Sequence, residues 1–123
     1  MVKKVLVVDD ELPIAQICKR VLMEEEYSVD TAKDGIEGKE KIQKRDYDLI
    51  ILDVRMPLMN GKELYRYICD NHPEMKYRVI FNTGSVLGGN TTEFLKKSGR
   101  PFMLKPFTPD ELKNEVRKLF AGE

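Results

Sequence analysis

The sequence predicts an α/β fold, a doubly wound parallel sheet of five strands with helices on both faces. The first observation is that short apolar runs alternate with amphipathic segments along the whole chain. The second is that four of these runs are continuously apolar, which is typical of parallel strands buried on both faces. The four runs are Val5–Val8, Leu49–Leu52, Val79–Phe81 and Phe102–Leu104.

The remaining strand lies at residues Tyr27–Ala32, where polar and apolar side chains alternate. Alternation indicates a strand with one exposed face. We therefore expect this second strand at an edge of the sheet.

Helical spacing of apolar residues fills the gaps between the strands. Ile14, Ile17, Cys18, Val21 and Leu22 repeat in this way after the first strand. Four predicted helix starts share a capping residue followed three positions later by Glu, which satisfies amide donors of the first turn. The pairs are Asp34/Glu37, Asn60/Glu63, Asn90/Glu93 and Thr108/Glu111.

Composition narrows the functional classes. A chain of 123 residues is the size of one domain, and 41% hydrophobic with 34% charged residues is ordinary for a globular protein. With 21 basic and 21 acidic residues the net charge is zero, which argues against a nucleic-acid-binding module. No apolar run reaches the roughly 18 residues of a membrane span. Cys18 and Cys69 fit no disulfide or metal spacing, so we expect a cytoplasmic protein.

Polar and charged residues that could bind a ligand or take part in a reaction follow four of the five predicted strands. Asp9, Asp10 and Glu11 follow the first, Asp53 the third, Thr83 the fourth, and Lys105 the fifth. In open α/β sheets the ligand site lies at the carboxyl ends of the strands. We therefore expect these side chains to converge.

Converging carboxylates repel one another, by about 4 kcal/mol for two charges 4 Å apart at an effective dielectric of about 20. Protonation of one acid or a bound cation would relieve this repulsion. Oxygen ligands without nearby His or Cys favour Mg²⁺, which often shares its shell with phosphate. Lys105 and Thr83 add a cation and a hydroxyl, so the set predicts a phosphoryl-transfer site. Asp53 stands alone after its strand and is the predicted acceptor.

Four fragments carry a family resemblance when they are taken together and in order. They are Val5–Glu11, Leu52–Gly61, Thr83-Gly84 and Leu104–Phe107. The chain resembles the receiver domain of two-component response regulators, from Lys3 to about Phe120. The resemblance implies a flavodoxin-like sheet of order 2-1-3-4-5 with five helices. It also implies one receiver domain over residues 1–123, with no output domain in this chain.

The resemblance also implies how the acidic residues act. Asp53 would take a phosphoryl group from a phosphohistidine on a sensor histidine kinase or a histidine phosphotransfer protein. Asp9, Asp10 and Asp53 would hold Mg²⁺ together with the backbone carbonyl of Arg55. The domain would then be a signalling switch, with self-phosphorylation and dephosphorylation but no turnover of a substrate.

Other matched positions would respond to phosphorylation. Thr83 and Lys105 would contact the phosphoryl group. Phe102 matches the aromatic residue of the family that turns inward on phosphorylation, although phenylalanine lacks the hydroxyl group that tyrosine would offer there. The Lys105–Pro106 peptide matches a cis bond of the family. A homodimer through the fourth helix, fifth strand and fifth helix is a further implication. Residues 83–89, followed by Phe94-Leu95 and Gly99-Arg100-Pro101, look more like receivers fused to hybrid sensor kinases than receivers fused to DNA-binding domains.

Three alternatives stay open at this stage. A Mg²⁺-dependent phosphatase with an aspartyl-phosphate intermediate would place an acid two residues after the nucleophile, where this chain has Arg55. A flavin- or nucleotide-binding module would need a small-residue phosphate cradle after the first strand, where this chain has Asp9-Asp10-Glu11. A receiver that only docks, without phosphorylation, would not need the full set of residues.

Overall fold

The protein alternates strands and helices along the chain, as seen in a computed structural model that describes residues 2–56, 58–84 and 89–122. The strands are β1 (Lys4–Val8), β2 (Ser28–Ala32), β3 (Leu49–Asp53), β4 (Val79–Thr83) and β5 (Phe102–Leu104). The helices are α1 (Leu12–Glu24), α2 (Gly35–Lys44), α3 (Gly61–Asn71), α4 (Gly89–Ser98) and α5 (Pro109–Ala121). A 3₁₀ helix (Pro73–Arg78) connects α3 to β4.

The five strands form one parallel sheet in the order β2-β1-β3-β4-β5, which confirms the predicted topology. The alternating strand β2 lies at one edge, as its pattern predicted, and the short β5 lies at the other. The register pairs Asp53 with Asn82 and Thr83 with Leu104. The carboxyl ends of β3, β4 and β5 therefore lie side by side.

Helices cover both faces of the sheet and divide the core into two clusters. Leu52 and Phe81 pack toward α2, α3 and α4, whereas Ile51 and Ile80 pack toward α1 and α5. Burial of each such side chain contributes about 1.5–3 kcal/mol. Successive side chains of a strand point to opposite faces of the sheet, so the α1/α5 face also includes every second residue at the carboxyl ends of the strands, beyond the apolar core. On that face lie Asp9, Asp53, Asn82 and Lys105.

Three of the four predicted helix caps are confirmed. Asp34, Asn60 and Thr108 each accept a hydrogen bond from the amide of the Glu three residues later, at 2.8, 3.0 and 3.1 Å. The prediction for Asn90 is wrong. Helix α4 already begins at Gly89, so Asn90 lies inside its first turn, whereas a capping residue has extended backbone.

The 3₁₀ helix (Pro73–Arg78) was not predicted from the sequence. Its one buried side chain, Met75, joins the core cluster under α2 and α3. Arg100 holds the segment from outside through hydrogen bonds to the carbonyls of Val79 (3.0 Å) and Tyr77 (2.7 Å). A single buried residue gives no periodicity that a sequence pattern could reveal.

Two parts of the predicted motifs fall outside the described residues, namely Pro57 and residues 85–88. The resemblance of residues 83–89, with Phe94-Leu95 and Gly99-Arg100-Pro101, to receivers of hybrid kinases stays a prediction. Across the described parts of the chain, no helix combines the length and the apolar character that crossing a bilayer requires.

Candidate functional site

Four acidic residues meet at the carboxyl edge of the sheet. Asp9 follows β1 and Asp53 ends β3, and both are almost fully buried, at 2% and 3% exposure. Asp10 and Glu11 are exposed and complete the group. Each of the four offers a carboxylate oxygen, and these oxygens lie within 4.8 Å of one another. The structure thus brings together the acids that the sequence placed after two separate strands.

Lys105 reaches into this group from the end of β5. Its Nζ lies 3.1 Å from Asp53 Oδ2, 3.0 Å from Asp9 Oδ2 and 2.6 Å from Glu11 Oε1. Its backbone amide donates to the carbonyl of Thr83 at 2.8 Å, which ties the ends of β4 and β5. The peptide bond from Lys105 to Pro106 is cis, as the resemblance implied.

Backbone amides orient the two buried carboxylates. The amide of Glu11 donates to Asp9 Oδ1 at 2.9 Å, and the amide of Arg55 donates to Asp53 Oδ1 at 3.2 Å. The Arg55 side chain is exposed. Asp53 is therefore held on one oxygen by a neutral donor and on the other by the ammonium of Lys105, whereas both oxygens of Asp9 lie within 3.3 Å of that ammonium.

Gly61 allows α3 to begin directly against the acceptor strand. A Cβ at this position would lie 2.1 Å from the carbonyl oxygen of Asp53 and 2.8 Å from Cα of Val54. Both are backbone atoms, which have no freedom to move aside. The Asn60-Gly61 pair thus supplies a helix cap and a close approach of α3 to β3, and together they fix the loop that follows Asp53.

Burial and neighbouring opposite charges shift the pKa values of these groups in opposite directions, because burial favours the neutral form and an opposite charge favours the ionised form. Burial, followed by the neighbouring charge of Asp9, raises the pKa of Asp53 to about 7, although Lys105 opposes the rise. Burial also raises the pKa of Asp9, against the amide of Glu11 and the charge of Lys105. Burial would lower the pKa of Lys105, but its carboxylate partners outweigh burial and raise it. Lys105 is therefore charged at neutral pH.

Asn82 is a fully buried residue of the site that the sequence patterns did not single out. Its Nδ2 donates to Asp9 Oδ2 at 3.0 Å, and its Oδ1 has no hydrogen-bond partner among the described residues. The available signal was a polar residue inside the apolar run of β4, directly before Thr83. Alternation from Ile80 would have placed its side chain on the same face as Asp53.

Thr83 and Phe102 lie outside the acid cluster. Thr83 is buried at the end of β4, and strand alternation places its side chain on the face of Phe81, opposite to Asn82. Phe102 is 44% exposed at the start of β5. Of the predicted site residues, the structure brings together Asp9, Asp10, Asp53 and Lys105. Glu11 and Asn82 are further members of this cluster.

The donor set fits a hard divalent cation. It consists of carboxylate oxygens, and Asn82, whose Nδ2 contacts Asp9, adds a buried amide oxygen that has no hydrogen-bond partner among the described residues. The cluster has four carboxyl groups, and the ammonium of Lys105 contacts three of them, those of Asp9, Glu11 and Asp53, so the cluster carries more acid than this lysine can neutralise. Oxygen-only donors of this kind suit Mg²⁺ better than a transition metal.

Taken together, the parallel sheet and the acid–lysine cluster at its carboxyl edge define a phospho-accepting signalling domain of the α/β class. The family model of the response regulator receiver domain matches residues 5–117. The chain therefore belongs to the response regulator receiver domain family.

Comparisons with individual proteins agree with this assignment. Response regulator ArlR of Staphylococcus aureus is 32% identical over 120 residues, which cover 98% of this chain and 53% of ArlR. The chain thus spans about half the length of the curated relatives it matches. The solved structure of chemotaxis response regulator CheY4 of Vibrio cholerae is 31% identical with a TM-score of 0.86, covering 97% of this chain and 99% of CheY4.

Another solved structure, of response regulator TrrA from Thermotoga maritima, was obtained in complex with Mg²⁺ and BeF. It is 35% identical to this chain with a TM-score of 0.83, and the match covers 95% of this chain and 98% of TrrA. The parallel sheet predicted from the strand pattern and the flavodoxin-like strand order that the resemblance implied are both confirmed.

Proposed function

We propose that this domain accepts a phosphoryl group on Asp53, with Mg²⁺ as cofactor, from a phosphohistidine of a sensor histidine kinase or histidine phosphotransfer protein. The observation that carries the proposal is the setting of Asp53. Its carboxylate is buried at the sheet edge, 3.1 Å from the ammonium of Lys105 and within the acid cluster. TrrA, which was solved with Mg²⁺ and BeF, supports the cofactor by similarity.

The chemistry needs an ionised carboxylate and neutralised charge. A carboxylate oxygen of Asp53 attacks phosphorus, the new P–O bond forms, and the P–N bond to the imidazole breaks, so that imidazole leaves with the electron pair and takes up a proton. Lys105 favours the ionised form of Asp53 and neutralises charge on the transferred group. The amide of Arg55 holds the other carboxylate oxygen in place.

Mg²⁺ would be held by Asp9, Asp10, Asp53 and the backbone carbonyl of Arg55. When bound, it supplies charge neutralisation for the phosphoryl oxygens. Without it, the raised pKa of Asp53, about 7, leaves part of the population protonated at neutral pH and unable to attack. Cation binding and nucleophile activation are therefore linked in this site.

Phosphorylation then changes the charge of the pocket and through it the outer surface. The phosphoryl group adds about −1.5 to −2 charges, which attract the hydroxyl of Thr83 and the ammonium of Lys105. The hydrogen bond from the Lys105 amide to the Thr83 carbonyl makes β4 and β5 respond together. Phe102, exposed on β5, is the side chain we expect to turn inward.

The surface formed by α4, β5 and α5 is the proposed output face. Phe102 and Leu104 are 44% and 46% exposed there, on the strand at the edge of the sheet. Exposed apolar side chains on an edge strand favour association with a second copy of the chain. A homodimer through this face is therefore the expected output of phosphorylation.

Mass spectrometry tests the acceptor. The protein is incubated with Mg²⁺ and either acetyl phosphate or phosphoramidate, a small donor with the P–N bond of a phosphohistidine. We expect one phosphate-sized mass gain, which Asp53→Asn removes and Asp70→Asn, on the exposed surface of α3, retains. A gain that persists in Asp53→Asn would contradict the assignment, as would no gain in the parent protein.

A turnover assay separates this function from that of a phosphatase. Incubation with an excess of a phosphomonoester and Mg²⁺ should release no more than one phosphate per protein molecule. Arg55 occupies the position where such an enzyme would need its second acid. Sustained release of phosphate would contradict the switch function.

A further inference from the structure

Asn82 is a buried amide that the packing of the sheet does not require. It follows Val79, Ile80 and Phe81 in β4, a strand that is buried along its whole length. Asn is disfavoured in strands, and a buried polar side chain is unfavourable unless its hydrogen bonds are satisfied. An apolar residue would fit this position in the core, so packing alone does not explain why an asparagine is found here.

Only one half of the Asn82 amide is satisfied within the described residues. Nδ2 donates to Asp9 Oδ2 at 3.0 Å, whereas Oδ1 has no partner. Buried carbonyl oxygens without a partner are exceptional in proteins and call for a specific explanation, such as a bound water or ion. Oδ1 is bonded to the same carbon atom as Nδ2, the atom that contacts Asp9, so this oxygen is one amide group away from the acid cluster.

The position of Asn82 links it to both buried acids. It pairs in register with Asp53 on the neighbouring strand, and alternation puts both side chains on one face. Its amide donates to the same oxygen of Asp9 that Lys105 contacts at 3.0 Å. The other oxygen of Asp9 is held by the amide of Glu11. Asp9 is therefore oriented from three directions, one of which is Asn82.

We propose that Asn82 is a positioning residue of the Mg²⁺ site, an inference that rests on the proposed function. Nδ2 fixes the orientation of Asp9, and Oδ1 accepts a hydrogen bond from a water bound to the metal. Mg²⁺ retains several waters when it binds a protein, and each of these waters donates hydrogen bonds. Residues that hold the ligands of a metal in this way contribute strongly to its affinity.

Calorimetric titration with Mg²⁺ tests this role on the intact protein. Asn82→Leu keeps a side chain of similar size without its polar atoms, and we expect the Mg²⁺ dissociation constant to rise about tenfold or more. Asn82→Thr keeps a hydroxyl that donates and accepts, and it should recover part of the affinity. If Asn82→Leu does not fold, the threonine variant still reports the affinity.

The matched control is Phe81→Leu, which alters the adjacent buried residue on the opposite face of β4. It loosens the core by a comparable change but touches neither Asp9 nor Asp53. We expect its Mg²⁺ dissociation constant to stay within about twofold of the parent value, because it leaves the residues that hold the ligands in place. An equal loss of affinity in Phe81→Leu and Asn82→Leu would overturn the inference, because it would show a general effect of destabilisation.

A second readout separates metal binding from the chemical step. The rate of phosphorylation by acetyl phosphate is measured over a range of Mg²⁺ concentrations. Asn82→Leu should need about tenfold more Mg²⁺ for half-maximal rate yet approach the parent rate at saturation. A parent-like Mg²⁺ dependence in Asn82→Leu would overturn the role of Asn82 and leave phosphorylation of Asp53 intact. Absence of Mg²⁺ binding by the parent protein would overturn both.

Discussion

Lys105 Nζ lies 3.1 Å from Asp53 Oδ2 and 3.0 Å from Asp9 Oδ2, so one ammonium bridges two buried carboxylates. The side chains are 10%, 5% and 1% exposed for Lys105, Asp53 and Asp9. Water therefore screens these charges weakly, and the two acids depend on the lysine for neutralisation. The same ammonium is available for a phosphoryl group on Asp53.

Replacing Lys105 by Met should destabilise the metal-free protein by about 3 kcal/mol, because both carboxylates lose their buried cation. Mg²⁺ should restore more stability to the variant than it adds to the parent protein. Urea unfolding with a chelator and with Mg²⁺ gives both values. Lys19→Met, on the exposed face of α1, is the control. A similar loss in the control, or no difference in the response to Mg²⁺, would contradict the bridging role.

Asp53 should make the metal-free protein less stable as the pH rises from about 4 to 7. The ordinary pKa of its carboxyl group is 3.8, whereas the pKa in the folded protein is about 7, so over this range the folded state binds the extra proton. Asp53→Asn removes this effect. The variant should match the parent near pH 4 and exceed it at pH 8, by at most about 4 kcal/mol.

Chemical unfolding of both proteins at several pH values, in the presence of a chelator, measures that difference. Comparison with the asparagine variant cancels the contribution of other titrating groups. A stability difference that stays constant from about pH 4 to 8 would show that the pKa of Asp53 is not raised.

Gly61→Ala should displace the start of α3 or the end of β3, because the new Cβ would lie 2.1 Å from the carbonyl oxygen of Asp53. We expect a loss of about 3 kcal/mol in stability and a strong reduction of phosphorylation. Thermal unfolding and the mass-gain assay report the two effects. Gly122→Ala is the control, since its Cβ would make ordinary contacts of 3.6 and 3.7 Å. Parent-like behaviour of Gly61→Ala would refute the close approach.

Phe102→Trp provides a fluorescent reporter, because the chain has no tryptophan of its own. The side chain is 44% exposed, so emission should shift to shorter wavelength if phosphorylation turns it inward. The measurement compares the protein before and after addition of Mg²⁺ and acetyl phosphate. Tyr77→Trp, at an exposed site of the 3₁₀ helix, should show no shift. An unchanged Phe102→Trp spectrum in a protein that gains phosphate would exclude the aromatic switch.

The continuous apolar runs predicted the sheet well. A strand that is buried on both faces is apolar at every position, and this pattern can be recognised in the sequence of that strand alone. Asp9, Asp53 and Lys105 could be found for the same reason, since each follows a recognisable strand end. Asn82 was missed, although it is a polar residue inside an apolar run, because its contact with Asp9, 73 residues away along the chain, matches no motif in the sequence. The start of α4 differs from the prediction at Asn90, where a capping pair is present but the helix has already begun.

The hydrogen bond between Lys105 and Thr83 has a mechanical consequence. Strand β5 has three residues and pairs on one side, whereas β3 has five and pairs on both. A short edge strand makes few backbone hydrogen bonds to its neighbour, so we expect it to be displaced more easily than the central strands of the sheet. In the proposed switch, a displacement of Lys105 would therefore be transmitted to Phe102 through the three residues of β5, a short strand at the edge of the sheet.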